Sequence, residues 1–168
     1  RTNAFQLLNW ISYKYGFGTY IHLIEGYYST AKCTQATEEL AKLITQFEDE
    51  HNHVYIDTLI SPSYTSAIAQ TIQVPGISGM ENNMVIFEYT KNDNSVLEEI
   101  SENIPLVKAG SFDVCVYRST EKYVDFKKDI HVWIRSTDHE NSHLLILLSF
   151  IILGHPIWKK SNIKIFDV

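Results

Sequence analysis

Three short stretches of the chain carry residue types at spacings that could support chemistry. The first is His139-Glu140-Asn141-Ser142-His143, which satisfies the string H-E-x-x-H and has Asp138 beside it. Two imidazoles four residues apart on one helix face can hold zinc, with the glutamate as general base, when the whole motif lies within the helix. Asn141 and Ser142 read as helix-capping residues, which would start the helix after the first histidine. The stretch is therefore expected to be a solvated helix start with no metal. The second is Ser61-Pro62-Ser63, between a strand pattern and a helix pattern. Free backbone N–H groups and hydroxyls at such a turn can hold a phosphate or nucleotide. Plain capping, with Ser61 at the N-cap and Pro62 in the first helical position, accounts for the same residues. No basic residue stands nearby in sequence to complete an anion clamp. The third is Gly76-Ile77-Ser78-Gly79-Met80-Glu81-Asn82-Asn83. A serine-hydrolase elbow needs G-x-S-x-G on a strand-to-helix turn, whereas here the second glycine comes one place early and the order is helix to strand. A P-loop needs Lys and Ser or Thr after its last glycine, where Met80 and Glu81 stand. The Gly-x2-Gly pattern of nucleotide-binding universal stress proteins finds Tyr89, within a strand, where its third glycine belongs. Ligands of open α/β sheets bind beyond the carboxyl ends of strands, and this loop precedes one. Turn chemistry is the expectation there, and His51 and His53 likewise read as a polar turn. No catalytic residue, metal or cofactor is expected.

The elements that would position these residues alternate between two periodicities. In RTNAFQLLNWISYKY, Phe5, Leu8, Ile11 and Ser12 fall at helical spacing and Gly16 stops the pattern. TYIHLIEGYY reads as a strand. The next helix puts Leu40, Leu43, Ile44 and Phe47 inward and Glu38, Glu39, Lys42 and Glu48 outward, with Ser29 or Thr30 as cap. HVYIDTLI is a strand, SPSYTSAIAQTIQ a helix and MVIFEY a strand. SVLEEISENIPLVK is a helix with Val96, Ile100, Ile104 and Val107 inward, and FDVCVY follows as a strand. STEKYVDFKK is a polar connector, IHVWI a strand, LLILLSFIIL a helix and IKIFDV a last strand. Strands alternating with helices imply an α/β fold with a mostly parallel sheet and helices on both faces, a three-layer arrangement. The first element is a helix, so a strand is expected ahead of it, and the sequence reads as a piece of a larger protein.

Composition narrows the function classes. A chain of 168 residues can bury a sizeable core. The net charge of −6 and the scattered basic residues argue against a nucleic-acid reader, which would show a basic face. Leu144 to Leu153 is the greasiest run, ten residues with Ser149 inside it. A membrane span needs roughly 20 apolar residues, and a run of about 10 to 14 suits a buried core helix; a buried helix is the expectation. Cys33 and Cys115 show no metal or redox spacing and read as reduced, largely buried thiols.

Two segments, taken in order, resemble a known family. Gly76 to Asn83 precedes MVIFEY, and IHVWI, LLILLSFIILGHPIWKK and IKIFDV follow in sequence. This is similar to the cytosolic C-terminal regulatory domain of cation–chloride cotransporters, the Na-K-Cl and K-Cl type carriers, and best resembles their prokaryotic, amino-acid-permease-like members. That family carries Gly-Leu-Gly-x-Met-x-x-Asn before a strand. It continues with Ile-Asp-Val-Trp-Trp, a Leu-rich helix, a Trp-basic-basic segment and a basic-Ile-Phe strand. RTNAF resembles the start that follows the family's first strand. Ser78 and Gly79 depart from the family's Gly and Arg, and the family's Asp-Gly-Gly turn is replaced here by Asp138 and HENSH. The resemblance implies a universal-stress-protein-like lobe on the cytoplasmic face of the membrane, below the transmembrane transport domain of the same polypeptide. Such a lobe would be non-catalytic, would homodimerise and would relay regulation, without itself inserting into the membrane or binding nucleic acid. Residues 1–118 would form the first lobe, lacking its first strand, with 119–129 as linker and 130–168 as the start of a second lobe. Gly76, Gly79, Met80 and Asn83 would be structural or interface residues of the family loop. The alternative is a nucleotide-sensing, universal-stress-like module using Ser61 and Ser63.

Overall fold

The computed structural model describes residues 3–47, 53–74, 81–91, 93–119 and 129–168. The chain is α/β throughout. Helix α1 (Asn3–Tyr15) leads into β1 (Gly18–Glu25), α2 (Thr30–Phe47), β2 (Val54–Ser61) and α3 (Tyr64–Gln73). Then come β3 (Met84–Thr90), α4 (Asn94–Ala109), β4 (Asp113–Ser119), β5 (Ile130–Ile134), α5 (His139–Leu153), a 3-10 turn at Pro156–Trp158 and β6 (Ile163–Asp167).

All strand pairing among the described residues is parallel, and it forms three pairs, β1 with β2, β3 with β4 and β5 with β6. Each pair is joined through one helix, so the chain is built from three successive β-α-β units. A parallel pair needs such a crossover because its strands start at the same end. The single sheet expected from the alternation is thus divided. Helix α3, which links the first two units, sets β3 apart from β2 instead of beside it.

Helix α1 organises the first two units. It touches β1, β2, β3 and β4, and it packs against α5. Phe5 stacks on Phe47 with ring centroids 3.9 Å apart and meets Tyr20 edge-on. With Val54, Leu8, Leu43 and Ile56 these side chains form one apolar cluster. The opposite flank of α1 is buried too. Trp10 meets Trp158 at 5.0 Å, and Tyr13 meets His155 at 4.7 Å. Close approach of α1 to β1 requires Gly18, where a Cβ would lie 2.6 Å from both Leu8 Cδ1 and Ser12 Oγ. The second apolar cluster centres on Ile68, Phe87, Ile100 and Val107, between α3, α4 and the β3–β4 pair. Ile100 and Val107 are fully buried, and each contributes on the order of 1.5–3 kcal/mol by leaving water.

Several inward faces differ from expectation. Ile44 is exposed, because α2 lies along β2 and turns its Leu43–Phe47 edge toward Phe5. In α4, Asn103 is buried and satisfies its amide on the Glu99 carbonyl at 2.8 Å. The largest departure is α5, which was expected to be buried. Leu145, Leu147 and Phe150 are exposed, and the buried residues of α5 are Ser142 and Ser149. The helix is apolar on every side, but α1, β5 and the 3-10 turn are the elements it rests on. At 15 residues it is about 22 Å long, against a hydrocarbon core of roughly 30 Å. Among the described residues no helix is long and apolar enough to cross a membrane.

Candidate functional site

The turn at Ser61 to Ser63 forms differently from the sequence reading. Strand β2 runs through Ser61, which pairs with Glu25, so Ser61 cannot cap a helix. The N-cap is Ser63, whose extended backbone (φ −155°, ψ 161°) lets its Oγ accept from the Ser66 N–H at 3.2 Å. Ser61 is fully buried, and its Oγ has no hydrogen-bond partner among the described residues. The structure supplies neighbours that sequence distance had hidden. Gly26, at φ 140°, donates its N–H to the Ser61 carbonyl at 2.9 Å. Lys32 lies against Gly26, where its Cε would be 2.8 Å from an added Cβ. Tyr27 and Tyr28 are exposed on the same loop. A hydrogen bond with Cys33 pushes the Tyr28 phenol above its usual range. The carboxyl ends of β1 and β2 therefore gather two aromatic rings, one ammonium group and the N-termini of α2 and α3.

The H-E-x-x-H stretch is also placed differently. Asp138 is the N-cap of α5, its carboxylate accepting from the Asn141 N–H at 3.3 Å. The helix begins at His139, so the histidines and Glu140 all lie within it, contrary to the later start expected. Asn141 supports the cap through its side chain, 2.7 Å from Asp138 Oδ2. Ser142 is buried and bonds back to the Asp138 carbonyl. His139, Glu140 and His143 are all exposed. Among the described residues no group of three His, Cys, Asp or Glu side chains could hold a metal ion.

Of the family-like loop, Gly76, Gly79 and Met80 lie outside the described residues, as does most of the expected linker. Asn83 is exposed and its carbonyl accepts from the Asp113 N–H at 2.8 Å, which aligns the start of β3 with that of β4. Cys33 and Cys115 are free thiols, each only partly buried. Burial raises the Cys115 thiol above its usual range, which keeps it protonated and a poor nucleophile.

The third β-α-β unit carries a feature that sequence reading missed. Its strands are tied at their start by Asp129, whose carboxylate meets Lys164 Nζ at 2.6 Å and accepts from the Asn162 backbone and side chain at 3.2 Å each. These bonds, the Lys164 contact first, hold the Asp129 carboxyl down at about 2. On one face of the pair, α5 covers β5, where Val132 is buried. The other face presents an aromatic row. Trp133 stacks on Phe166 at 4.5 Å and His131 meets Phe166 edge-on at 5.2 Å, with Trp133 59% exposed. Parallel sheets ordinarily have both faces covered by helices. Here the aromatic row is open, and so is the outer side of α5, where Leu147 is 56% and Phe150 62% exposed. Strand alternation in IHVWI placed Trp133 and Val132 on opposite faces, but nothing in the sequence said that one face would lack a cover.

No protein-family model matches the chain, and no curated protein matches it.

Proposed function

We propose that this chain is a non-catalytic regulatory and dimerisation domain of a membrane carrier of the cation–chloride cotransporter or amino-acid-permease-like type. The reading rests on the residue resemblance from Gly76 to Asn83 and from IHVWI to IKIFDV. The observation that carries the association part is the open apolar outer side of α5, where Leu147 and Phe150 are exposed. Contiguous exposed apolar patches mark interaction sites, and aromatic residues are enriched where such sites become buried. A second copy of the chain would cover the outer side of α5. The transport domain of the same polypeptide would hold the two copies at the cytoplasmic face of the membrane, and the lobe would relay a regulatory signal to it. The universal-stress-like layering belongs to the same proposal.

The test is a variant carrying Leu147→Glu and Phe150→Glu together. Both side chains are solvent-facing in the single chain, so the fold should persist by circular dichroism. Sedimentation velocity should show the parent self-associating and the variant monomeric; a variant that associates as the parent does would overturn the surface assignment.

A second reading is favoured by the cluster of Tyr27, Tyr28 and Lys32 with two helix N-termini, which suits a nucleotide base and phosphate. Calorimetric titration with ATP and AMP separates the two. Saturable heat lost on Lys32→Ala would move the assignment toward a nucleotide sensor, and silence at millimolar ligand would remove that reading.

A further inference from the structure

The division of the first two units into separate pairs carries an inference that deepens the universal-stress-like layering of the proposed function. It rests on that reading only for the expectation of a strand ahead of α1; where that strand would lie is argued from the strand and helix contacts. β1 pairs with β2 on one edge and β3 with β4 on one edge, and no described backbone hydrogen bond joins the two pairs. The same helices nevertheless cover both pairs. On one side α1 touches all four strands. On the other, α3 touches β1 and β2 and packs on α4, which touches β3 and β4. Helix α2 contacts β2 far more than β1, and α1 contacts β1 and β3 more than β2 and β4, which places β1 and β3 inward and β2 and β4 outward. The free edges of β1 and β3 therefore face each other beneath α1.

The core is divided at the same place. One apolar cluster, around Phe5 and Phe47, lies on the α1 side of β1 and β2. The other, around Phe87 and Ile100, lies on the α3–α4 side of β3 and β4. A domain of this size ordinarily has one contiguous core. A strand inserted between two others holds them about 10 Å apart, within the breadth of about 10–12 Å that one helix with its side chains spans.

We propose that the space between β1 and β3 accommodates a further strand, an extended apolar segment joined directly ahead of α1. Its backbone would satisfy the free edges of β1 and β3, and its side chains would link the two clusters, one set beneath α1 and the next above α3 and α4. Helix α1 already runs from over this space into β1, the path of the crossover helix in a right-handed β-α-β unit. That path fixes the orientation as parallel to β1. Both faces of the segment would be covered, so the chemistry required is a run of about six Val, Ile or Leu residues without alternation.

The test extends the 168-residue chain ahead of Arg1 with Val-Ile-Val-Leu-Val-Ile, and compares it with the parent and with a control extension carrying proline at alternate positions. Amide hydrogen exchange is followed residue by residue along Gly18–Glu25 and Met84–Thr90. The apolar extension should slow alternate amides on both strands by about tenfold or more, and the proline control should leave them at parent rates. Protection on β1 alone, on the outer edges of β2 and β4, or equally with the proline control would overturn the proposal. Parent amides that are already protected, or become so as protein concentration rises, would also overturn it, because another segment or a second copy then fills the space. If the extended chain does not fold, the same hexapeptide added to the parent with solubilising lysines gives the same readout, and protection of neither strand counts against the proposal.

Discussion

At the residue scale, small polar side chains settle where helices begin. Ser63 satisfies an N–H at the start of α3, so Ser63→Ala should cost about 1 kcal/mol in denaturant unfolding, and Ser63→Asp should restore most of it. Asp129 sets a pH dependence. Its carboxyl lies near 2 when folded, below the ordinary carboxylate value, so the folded state holds that proton less tightly than the unfolded chain does. Its contribution is present in full above about pH 4 and fades as pH falls toward 2. Monitored by Trp133 fluorescence, Asp129→Asn should lower the stability of the β5–β6 pair at neutral pH and remove its acid transition, so that variant and parent converge as pH falls toward 2. Tyr64 works in the other direction. Burial first, then the Glu99 carboxylate, pushes its phenol up to about 12. The stability linked to its proton is complete below pH 10 and is lost as pH rises toward 12. Tyr64→Phe should therefore remove the tyrosinate absorbance step that appears last in an alkaline titration.

These residues also show what was legible and what was not. Helix-starting chemistry was visible in SPS and in DHENS, but the cap fell on Ser63 instead of Ser61 and on Asp138 instead of Asn141 or Ser142. The shift at Ser61 is a tertiary effect, since the register with β1 extends β2 through that residue. Lys32 could not be placed beside the Ser61 turn from sequence, because Gly26 brings the two together only once β1 and β2 have paired.

At the scale of elements, periodicity located the five α-helices and six strands found among the described residues, since each alternates or repeats clearly on its own. Periodicity did not say which side of a helix that is apolar all round would be covered. LLILLSFIIL forms α5 as expected, yet its outer side lies open. Trp10 is buried although it does not belong to the stripe of Phe5, Leu8, Ile11 and Ser12, because α1 buries two flanks, one on Phe47 and one on Trp158. The contact between α1 and β1 depends on Gly18, where a Cβ would strike Leu8 and Ser12. Gly18→Ala should destabilise by about 1–3 kcal/mol through overpacking. Adding Leu8→Ala should cost less than it does in the parent, because it clears the two Leu8 atoms that the new Cβ strikes and leaves only Ser12 Oγ; a double-mutant cycle measured by thermal unfolding checks the coupling.

At the scale of the whole molecule, three parallel pairs with shared covering helices describe an α/β body whose third unit is only half covered. The α/β class followed from alternation alone. The partition into pairs did not, since pairing partners depend on where connections such as α3 carry the chain, and sequence adjacency says nothing of that. The exposed side of α5 and the row of Trp133 and Phe166 are where another surface must come if the molecule acts as an association domain. Light scattering of the purified 168-residue chain across a concentration series measures this directly. The account predicts a molar mass that climbs toward twice the 19.4 kDa of one chain; a mass that stays at one chain at every concentration would contradict it.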